Sequence, residues 1–402
     1  MSLEINLLPE FGWAIKNQPV YGPGSVFQGF VKLNATEEQL EKAERLRIVF
    51  HASESTYNSG YANPTYNKQL FGTQKILWKR KDIQTPTSLT PETDISIPFI
   101  IQIPMVQFPP SANVISEGEG LSYHSNFVLS AYLDQDDDKT NIVKTHKSII
   151  YMPFIETSIS KRPIHITTLE KTDNISPETT PSVYVNMTSL DYVLGDTIHI
   201  TLSINNIPKK FIESISTKLY QIQTWNRTSR KEKPIKNERK LKHLVSQNVV
   251  KNQSNETISQ YIMNTSLEVP VDGLPTFTYG PVFSLTHILK ISIKRKGKLW
   301  SYDFDLADIP IKVGTLGYGI RSSEEIEFYS TFKTAFERQS EIAGNSTGAP
   351  STSTMVIATD ATLPVPRFLE VIEYEESLPV YTNDRLPMYE TAIKRHHINC
   401  IM

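Results

Sequence analysis

The sequence predicts an all-β protein made of two β-sandwiches in tandem, followed by a disordered C-terminal tail. Three observations support this. Apolar and polar residues alternate along many short segments, landmark motifs recur in the same order in both halves, and the composition changes near residue 339. Alternation with a period of two is typical of half-buried strands, and 402 residues exceed what one hydrophobic core usually organises.

The clearest alternating segment covers residues 198–205, where isoleucine and leucine alternate with polar residues. Similar patterns occur at 95–103, 123–133 and 283–293, and His287 on the apolar face of the last one is predicted to be a core histidine. Pro, Gly and Asn mark turns between these segments, and few helical patterns separate them. Antiparallel sandwiches are therefore favoured over a parallel sheet with crossover helices.

An internal repeat divides the chain into two related halves. Each half has a tyrosine-to-glycine turn, a strand that ends at proline, and a proline-containing turn before a long strand. These landmarks lie at 21–24, 103–104 and 109–111 in the first half, and at 192–195, 269–270 and 274–276 in the second. The repeat predicts homologous sandwiches over residues 1–160 and 182–318, joined by a hinge over residues 161–181.

The segment after the second sandwich has a helical pattern. Ser322 and Glu325 have the spacing of a capping box, and Tyr329, Phe332 and Phe336 follow at helical intervals. We expect a short amphipathic helix within residues 319–338. Residues 339–402 begin with a Gly, Asn, Ser and Thr-rich run that has too few apolar groups to offset its ordering entropy, so this tail is predicted to be disordered.

Composition excludes several functional classes. The 41 basic and 43 acidic side chains nearly balance, which argues against an overall field built for nucleic acid. No long apolar segment, signal peptide or cysteine pair occurs, so a soluble cytoplasmic protein is expected. Nucleophile-elbow, Walker and dinucleotide motifs are also missing. We therefore expect no enzymatic activity, no cofactor and no metal site.

Taken together, the landmarks resemble the pattern of the arrestins, and specifically of the α-arrestins. The resemblance is carried by residues 20–29, 46–50, 97–104 and 108–111 in the first half, and by 192–205, 267–270 and 309–315 in the second. It covers residues 1–318 and implies two arrestin-like, immunoglobulin-type sandwiches. The phosphate-sensing arginine and polar core of visual and β-arrestins cannot be placed, so their mode of recognising phosphorylated receptors is not implied.

The resemblance implies a non-catalytic adaptor. Its sandwiches would bind the cytosolic tails of membrane transporters or receptors, and its tail would recruit a HECT-class ubiquitin ligase. The cargo would then be ubiquitinated, internalised and sorted, with the adaptor recruited peripherally to the plasma membrane and endosomes. The alternative is an arrestin-like trafficking or signalling scaffold that recruits no ligase. A carbohydrate-binding sandwich is disfavoured because no aromatic cluster stands out.

Two motifs of the form Leu-Pro-x-Tyr lie in the tail. In this position the chain resembles the α-arrestins, whose tails carry ligands for WW domains. Their residues are Leu378, Pro379 and Tyr381 in the first, and Leu386, Pro387 and Tyr389 in the second. Proline favours a polyproline II backbone, while leucine and tyrosine fill aromatic pockets of the WW domain. The alternative is coincidence, since a chain of this composition contains about one Pro-x-Tyr by chance.

A basic segment lies within the second half and is predicted to form a hairpin loop. Its cationic residues are Arg227, Arg230, Lys231, Lys233, Lys236, Arg239, Lys240 and Lys242. Such a loop could bind acidic cytosolic tails or anionic lipid head groups. The alternative is a mobile, solvated loop without a partner. Nucleic-acid binding is disfavoured because no aromatic residues are interleaved after Trp225.

Overall fold

The computed structural model describes most of the first 329 residues and one short strand beyond them. The described ranges are 1–8, 14–36, 40–58, 64–80, 93–116, 118–135, 141–158, 164–169, 182–228, 234–254, 256–296, 301–306, 308–329 and 370–371. Regular structure in these ranges is almost entirely β-strand, which confirms the predicted all-β class. No helix in the described ranges is long and apolar enough to cross a membrane.

The first half forms a sandwich from the strands between residues 2 and 151. These are β1 (Ser2–Leu7), β2 (Ala14–Ile15), β3 (Gln18–Tyr21), β4 (Val26–Ala35), β5 (Ala43–Asn58), β6 (Tyr66–Lys79), β7 (Thr93–Gln102), β8 (Val106–Gln107), β9 (Ala112–Ser116), β10 (Leu121–Gln135) and β11 (Asn141–Tyr151). One sheet has the order β1-β4-β7, and the other has the order β2-β3-β11-β10-β5-β6 with β9 paired to β10. Alternation along β4 buries Phe27, Val31 and Leu33 against Phe50 and Phe127 of the larger sheet.

The second half forms a similar two-sheet sandwich. Its strands are β12 (Ile164–Leu169), β13 (Ser182–Met187), β14 (Asp191–Val193), β15 (Thr197–Asn205), β16 (Ile212–Thr228), β17 (Pro234–Lys251), β18 (Gln260–Glu268), β19 (Phe283–Lys296), β20 (Ser301–Asp305) and β21 (Ile309–Gly314). The sheet orders are β12-β13-β15-β18 and β14-β21-β19-β16-β17, with β20 paired to β19. Apolar residues of β15 share a core with Leu219 and Leu289 of the second sheet.

His287 on β19 is a core residue, as predicted. It is 3% exposed, and its Nδ1 lies 2.9 Å from the Thr276 hydroxyl. Burial lowers the pKa of His287 to about 3, so the ring is neutral at physiological pH.

The predicted hinge over residues 161–181 is partly wrong. Residues 164–169 form β12, which pairs antiparallel with β13 at the edge of the second sandwich. The alternating Ile164 and Ile166 are the local signal for this strand. The rest of the range, 161–163 and 170–181, lies outside the described residues.

The predicted helix over residues 319–338 is wrong as far as residue 329, and residues 330–338 lie outside the described ranges. Two short strands occur instead, β22 (Ile320–Arg321) and β23 (Glu327–Phe328). Ser322 does not cap a helix, because its amide and hydroxyl both donate to the Glu156 carboxylate, at 2.9 and 2.6 Å. We call residues 322–329 the strap, since β23 pairs in parallel with β8 and returns the chain to the first sandwich.

Within the predicted tail of residues 339–402, the structure describes only β24 (Glu370–Val371). This strand pairs antiparallel with β22, placing Ile320 opposite Val371. Both Leu-Pro-x-Tyr motifs lie outside the described residues.

Candidate functional site

Where the structure describes the basic segment, it is strand and not loop, which corrects the sequence prediction for those residues. Its residues continue β16 and β17 into a long hairpin, and residues 229–233 lie outside the described ranges. Leu241 faces inward and packs at the junction of the sandwiches. Apolar and polar residues therefore alternate along this part of β17, but the many basic residues make the pattern hard to see in the sequence. In this segment the described side chains include those of Arg239, Lys240 and Lys242, whereas those of Arg227, Arg230, Lys231, Lys233 and Lys236 are not described.

Arg239 connects the two sandwiches. Its Nη1 lies 2.7 Å from Oε2 of Glu119, which follows β9 in the first sandwich. Both side chains are nearly half exposed, so water screens the pair and it contributes about 0.2–1 kcal/mol. Arg239 therefore acts in domain contact, and sequence alone gave no sign of its acidic partner.

Lys240 and Lys242 belong to a larger basic surface on the outer side of the second sandwich. Because directly paired residues share one side of a sheet, the strand register brings together six lysines from β16, β17 and β19. We define the basic face by these residues, which are Lys218, Lys240, Lys242, Lys251, Lys290 and Lys294. The exposed apolar side chains of Leu244 and Val249 lie among them.

Carboxylates neutralise part of the basic face. Asp305 lies 2.7 Å from Lys290, Glu213 lies 2.8 Å from Lys294, and Asp308 lies 3.8 Å from Lys242. The first two raise the pKa of their lysines, and Asp303 faces Lys294 across the β19–β20 pair. Lysines outnumber these four carboxylates on this side of the sheet, and apolar side chains lie among them. This side of the sheet therefore combines cationic and exposed apolar side chains.

An aromatic cluster joins the two sandwiches. The Tyr123 ring on β10 stacks on Phe283 of β19 with ring centroids 4.4 Å apart, and Trp225 meets the same phenylalanine at 4.8 Å. The Tyr279 hydroxyl donates a hydrogen bond of 2.9 Å to the carbonyl of Phe108 in the first sandwich. The junction is therefore a buried apolar core with directional contacts, which resists free rotation of the sandwiches.

The segment that leaves the first sandwich is held against the end of the second. The Ile155 amide donates to the Thr315 hydroxyl at 2.8 Å, and the Thr157 hydroxyl donates to the Leu316 carbonyl at 3.0 Å. The Arg321 guanidinium reaches the Thr157 carbonyl at 2.7 Å. Beside these hydrogen bonds lies an apolar cavity of about 400 Å³, which is lined in part by Tyr21, Phe154 and Ile320. Its lining carries no charged side chain.

The contact of residues 155–157 with residues 314–316 leaves no room for a side chain at Gly314, which gives a testable prediction. A Cβ atom there would lie 2.6 Å from Cγ2 of Thr157 and 2.7 Å from the carbonyl oxygen of Ile155. We expect Gly314→Ala to lower the free energy of unfolding by about 1–3 kcal/mol, because the segments must separate. Chemical denaturation measures this, with Gly317→Ala as control, since its nearest neighbour would lie at 3.6 Å. Equal stability of the two variants would contradict the prediction.

Comparison with known proteins identifies the second sandwich. Residues 178–318 match the family described as Arrestin (or S-antigen), C-terminal domain. The second half of the chain is similar to an arrestin C-terminal domain. The matched range contains β13 to β21, and therefore both the basic face and the aromatic residues that the second sandwich supplies to the junction. No curated protein matches the chain.

Sequence reasoning missed a buried acid in the first sandwich. Glu54 lies on the apolar side of β5, in the alternating series after Phe50 and Ala52, and it is fully buried. A charged residue on the buried side of an otherwise regular strand is a visible signal. No group of three or more metal-ligating side chains occurs within the described ranges.

Proposed function

We propose that this arrestin-like protein is a non-catalytic adaptor that links membrane cargo to a WW-domain HECT ubiquitin ligase. The observation that carries the proposal is an arrestin-like sandwich in the same chain as a tail with two Leu-Pro-x-Tyr motifs. The sandwiches bind cytosolic tails of transporters or receptors, and the tail binds the ligase. Cargo ubiquitination, endocytosis and sorting follow from this arrangement.

Proximity is the physical basis of the proposed activity. Holding cargo and ligase on one scaffold converts their encounter into an intramolecular one, with an effective concentration in the millimolar range for short connections. The adaptor needs no reactive group of its own, and the junction of the sandwiches provides a stable platform. Under this proposal the protein is cytoplasmic and is recruited peripherally to the plasma membrane and endosomes.

The basic face supports membrane recruitment, which leads to a second prediction. We expect Lys218→Glu, Lys240→Glu and Lys251→Glu together to weaken binding to vesicles containing phosphatidylserine. Each lysine near an anionic surface contributes about 1 kcal/mol, so the triple variant should bind on the order of a hundredfold more weakly. Sedimentation with vesicles at low and high salt measures this, and the wild-type affinity should fall as salt rises.

A matched variant separates position from net charge. Lys32, Lys75 and Lys144 are exposed lysines of the first sandwich, so changing all three to Glu gives the same net charge elsewhere on the surface. This control should bind vesicles much better than the variant of the basic face. Equal affinities for the two variants would show that the basic face is an ordinary solvated surface.

Ligase recruitment is tested by affinity purification from native cells. Intact protein is compared with a chain that ends at Gln339, which retains both sandwiches and the strap but lacks the motifs. Recovery of a HECT ligase with the intact chain alone supports the adaptor. Recovery of trafficking partners by both chains, without any ligase, favours the alternative of a scaffold that recruits no ligase.

A further inference from the structure

A buried carboxyl group lies where the first sandwich, the strap and the aromatic junction meet. The Tyr123 hydroxyl on β10 donates to Oε1 of Glu54 at 3.0 Å, and the Tyr66 hydroxyl on β6 donates to Oε2 at 3.4 Å. The Tyr329 hydroxyl at the end of the strap faces the same carboxyl group, although its approach does not meet standard hydrogen-bond geometry. Three tyrosines from three separate segments therefore surround one acid.

The charged and titratable groups around Glu54 act in opposite directions. Burial disfavours the carboxylate and is the largest effect, whereas the hydroxyls of Tyr123, Tyr66 and Tyr329 and the charge of Lys68 favour it. The balance raises the pKa of Glu54 to about 7. Within the described residues, Lys68 is the cation that acts on this carboxyl group; it is exposed to solvent and lies directly opposite Glu54 in the pair of β5 with β6.

The strap that covers Glu54 is short, is tied at its start by the hydrogen bonds of Ser322 to Glu156, and has one buried side chain within residues 322–329. Its β23 strand forms a two-residue parallel pair with β8, in which the Tyr329 amide donates to the Gln107 carbonyl at 3.2 Å. Tyr329 is 4% exposed, while the adjacent Phe328 is 49% exposed. A short segment with one buried anchor belongs to the part of a protein that opens locally at low cost.

We propose that Glu54 and Tyr329 form a proton-dependent latch, in which the strap closes over the neutral carboxyl group and leaves when this group ionises. A carboxylate held in a closed apolar site loses its hydration, and opening the strap restores water to it. Opening also uncovers the edge of β8 and removes Tyr329 from its place beside Tyr279 of the second sandwich. The latch therefore couples proton concentration to the contact between the sandwiches.

The direction of the pH dependence follows from the two states. Glu54 has a pKa of about 7 in the closed state and its ordinary value of about 4.5 when exposed to water. Closure is fully favoured below about pH 4.5 and is progressively lost up to about pH 7. The opening constant therefore rises by at most about tenfold per pH unit in this window and is level above it.

The test uses the full chain with a spin label on the strap. Glu324 is exposed, so Glu324→Cys in a Cys400→Ser background carries the only thiol. We expect the mobile fraction of the label to rise between pH 5 and 7 and to level off above it. In Glu54→Gln the label should remain immobile throughout, whereas Glu268→Gln, an exposed acid on β18, should keep the original profile.

Another variant keeps the proposal testable if Glu54→Gln fails to fold. Tyr66→Phe removes one donor that favours the carboxylate, so the plateau of the mobile fraction should move to higher pH. Simple loss of packing would increase mobility at every pH without moving the plateau. A mobile fraction that is constant from pH 5 to 8, a pH response that persists in Glu54→Gln, or an unmoved plateau in Tyr66→Phe would each overturn the latch.

Discussion

Changing Tyr381 and Tyr389 together to alanine is expected to abolish binding of the tail to tandem WW domains. Each tyrosine is proposed to fill one WW pocket, while Pro379 and Pro387 keep the backbone extended. The tyrosines are eight residues apart, so a ligase with several WW domains can engage both motifs where the geometry permits. Avidity then exceeds single-site affinity by about 10²–10⁴, and the double variant should lose far more than either single variant.

The measurement is calorimetric titration of a peptide covering residues 371–392 into an isolated WW tandem. Tyr374 lies in the same peptide without a preceding Leu-Pro-x, which makes Tyr374→Ala a matched control. The control should bind like the wild type. If the double variant also binds like the wild type, the motifs are coincidental and the scaffold without a ligase becomes the better explanation.

Removal of the Phe283 ring is expected to have the largest effect on stability. This side chain is fully buried and contacts Tyr123 of the first sandwich as well as Trp225 and Phe277 of the second, with ring centroids 4.4, 4.8 and 5.8 Å away. Phe283→Ala would leave a cavity between the sandwiches, so we expect the free energy of unfolding to fall by about 3–5 kcal/mol.

Chemical denaturation measures the loss, and small-angle scattering detects any separation of the sandwiches. Phe211→Ala is the control, because Phe211 is 42% exposed and its removal should change stability by about 0.5 kcal/mol or less. A loss below about 1 kcal/mol for Phe283→Ala would show that the junction is held mainly by other contacts.

Local patterning predicted several of the long strands. Residues 198–205 and 283–293 alternate because one side of each strand faces a core, and they are found within β15 and β19. His287 was assigned to the core on the same ground. Within the predicted hinge, the pattern of Ile164 and Ile166 was present but short, and the surrounding Thr, Ser and Pro outweighed it.

The predictions that failed depended on partners far away in the sequence. Ser322 and Glu325 have capping-box spacing, but Glu156 from the interdomain segment takes the Ser322 donors instead. The pairing of β23 with β8 depends on a tertiary contact between distant segments, and two residues are too few to show an alternating pattern in the sequence. The register that gathers the basic face is likewise a property of three strands, so Lys218, Lys290 and Lys294 could not be grouped with Lys240 from sequence alone.

The pairing of the strap with β8 has a consequence for biosynthesis. Val106 acquires Glu327 as its neighbour only after more than 200 further residues have been synthesised. A nascent first sandwich therefore emerges from the ribosome with the β8 edge unpaired and with Glu54 lacking Tyr329. The edge is only two residues long, and the buried site around Glu54 is completed only once translation has passed residue 329.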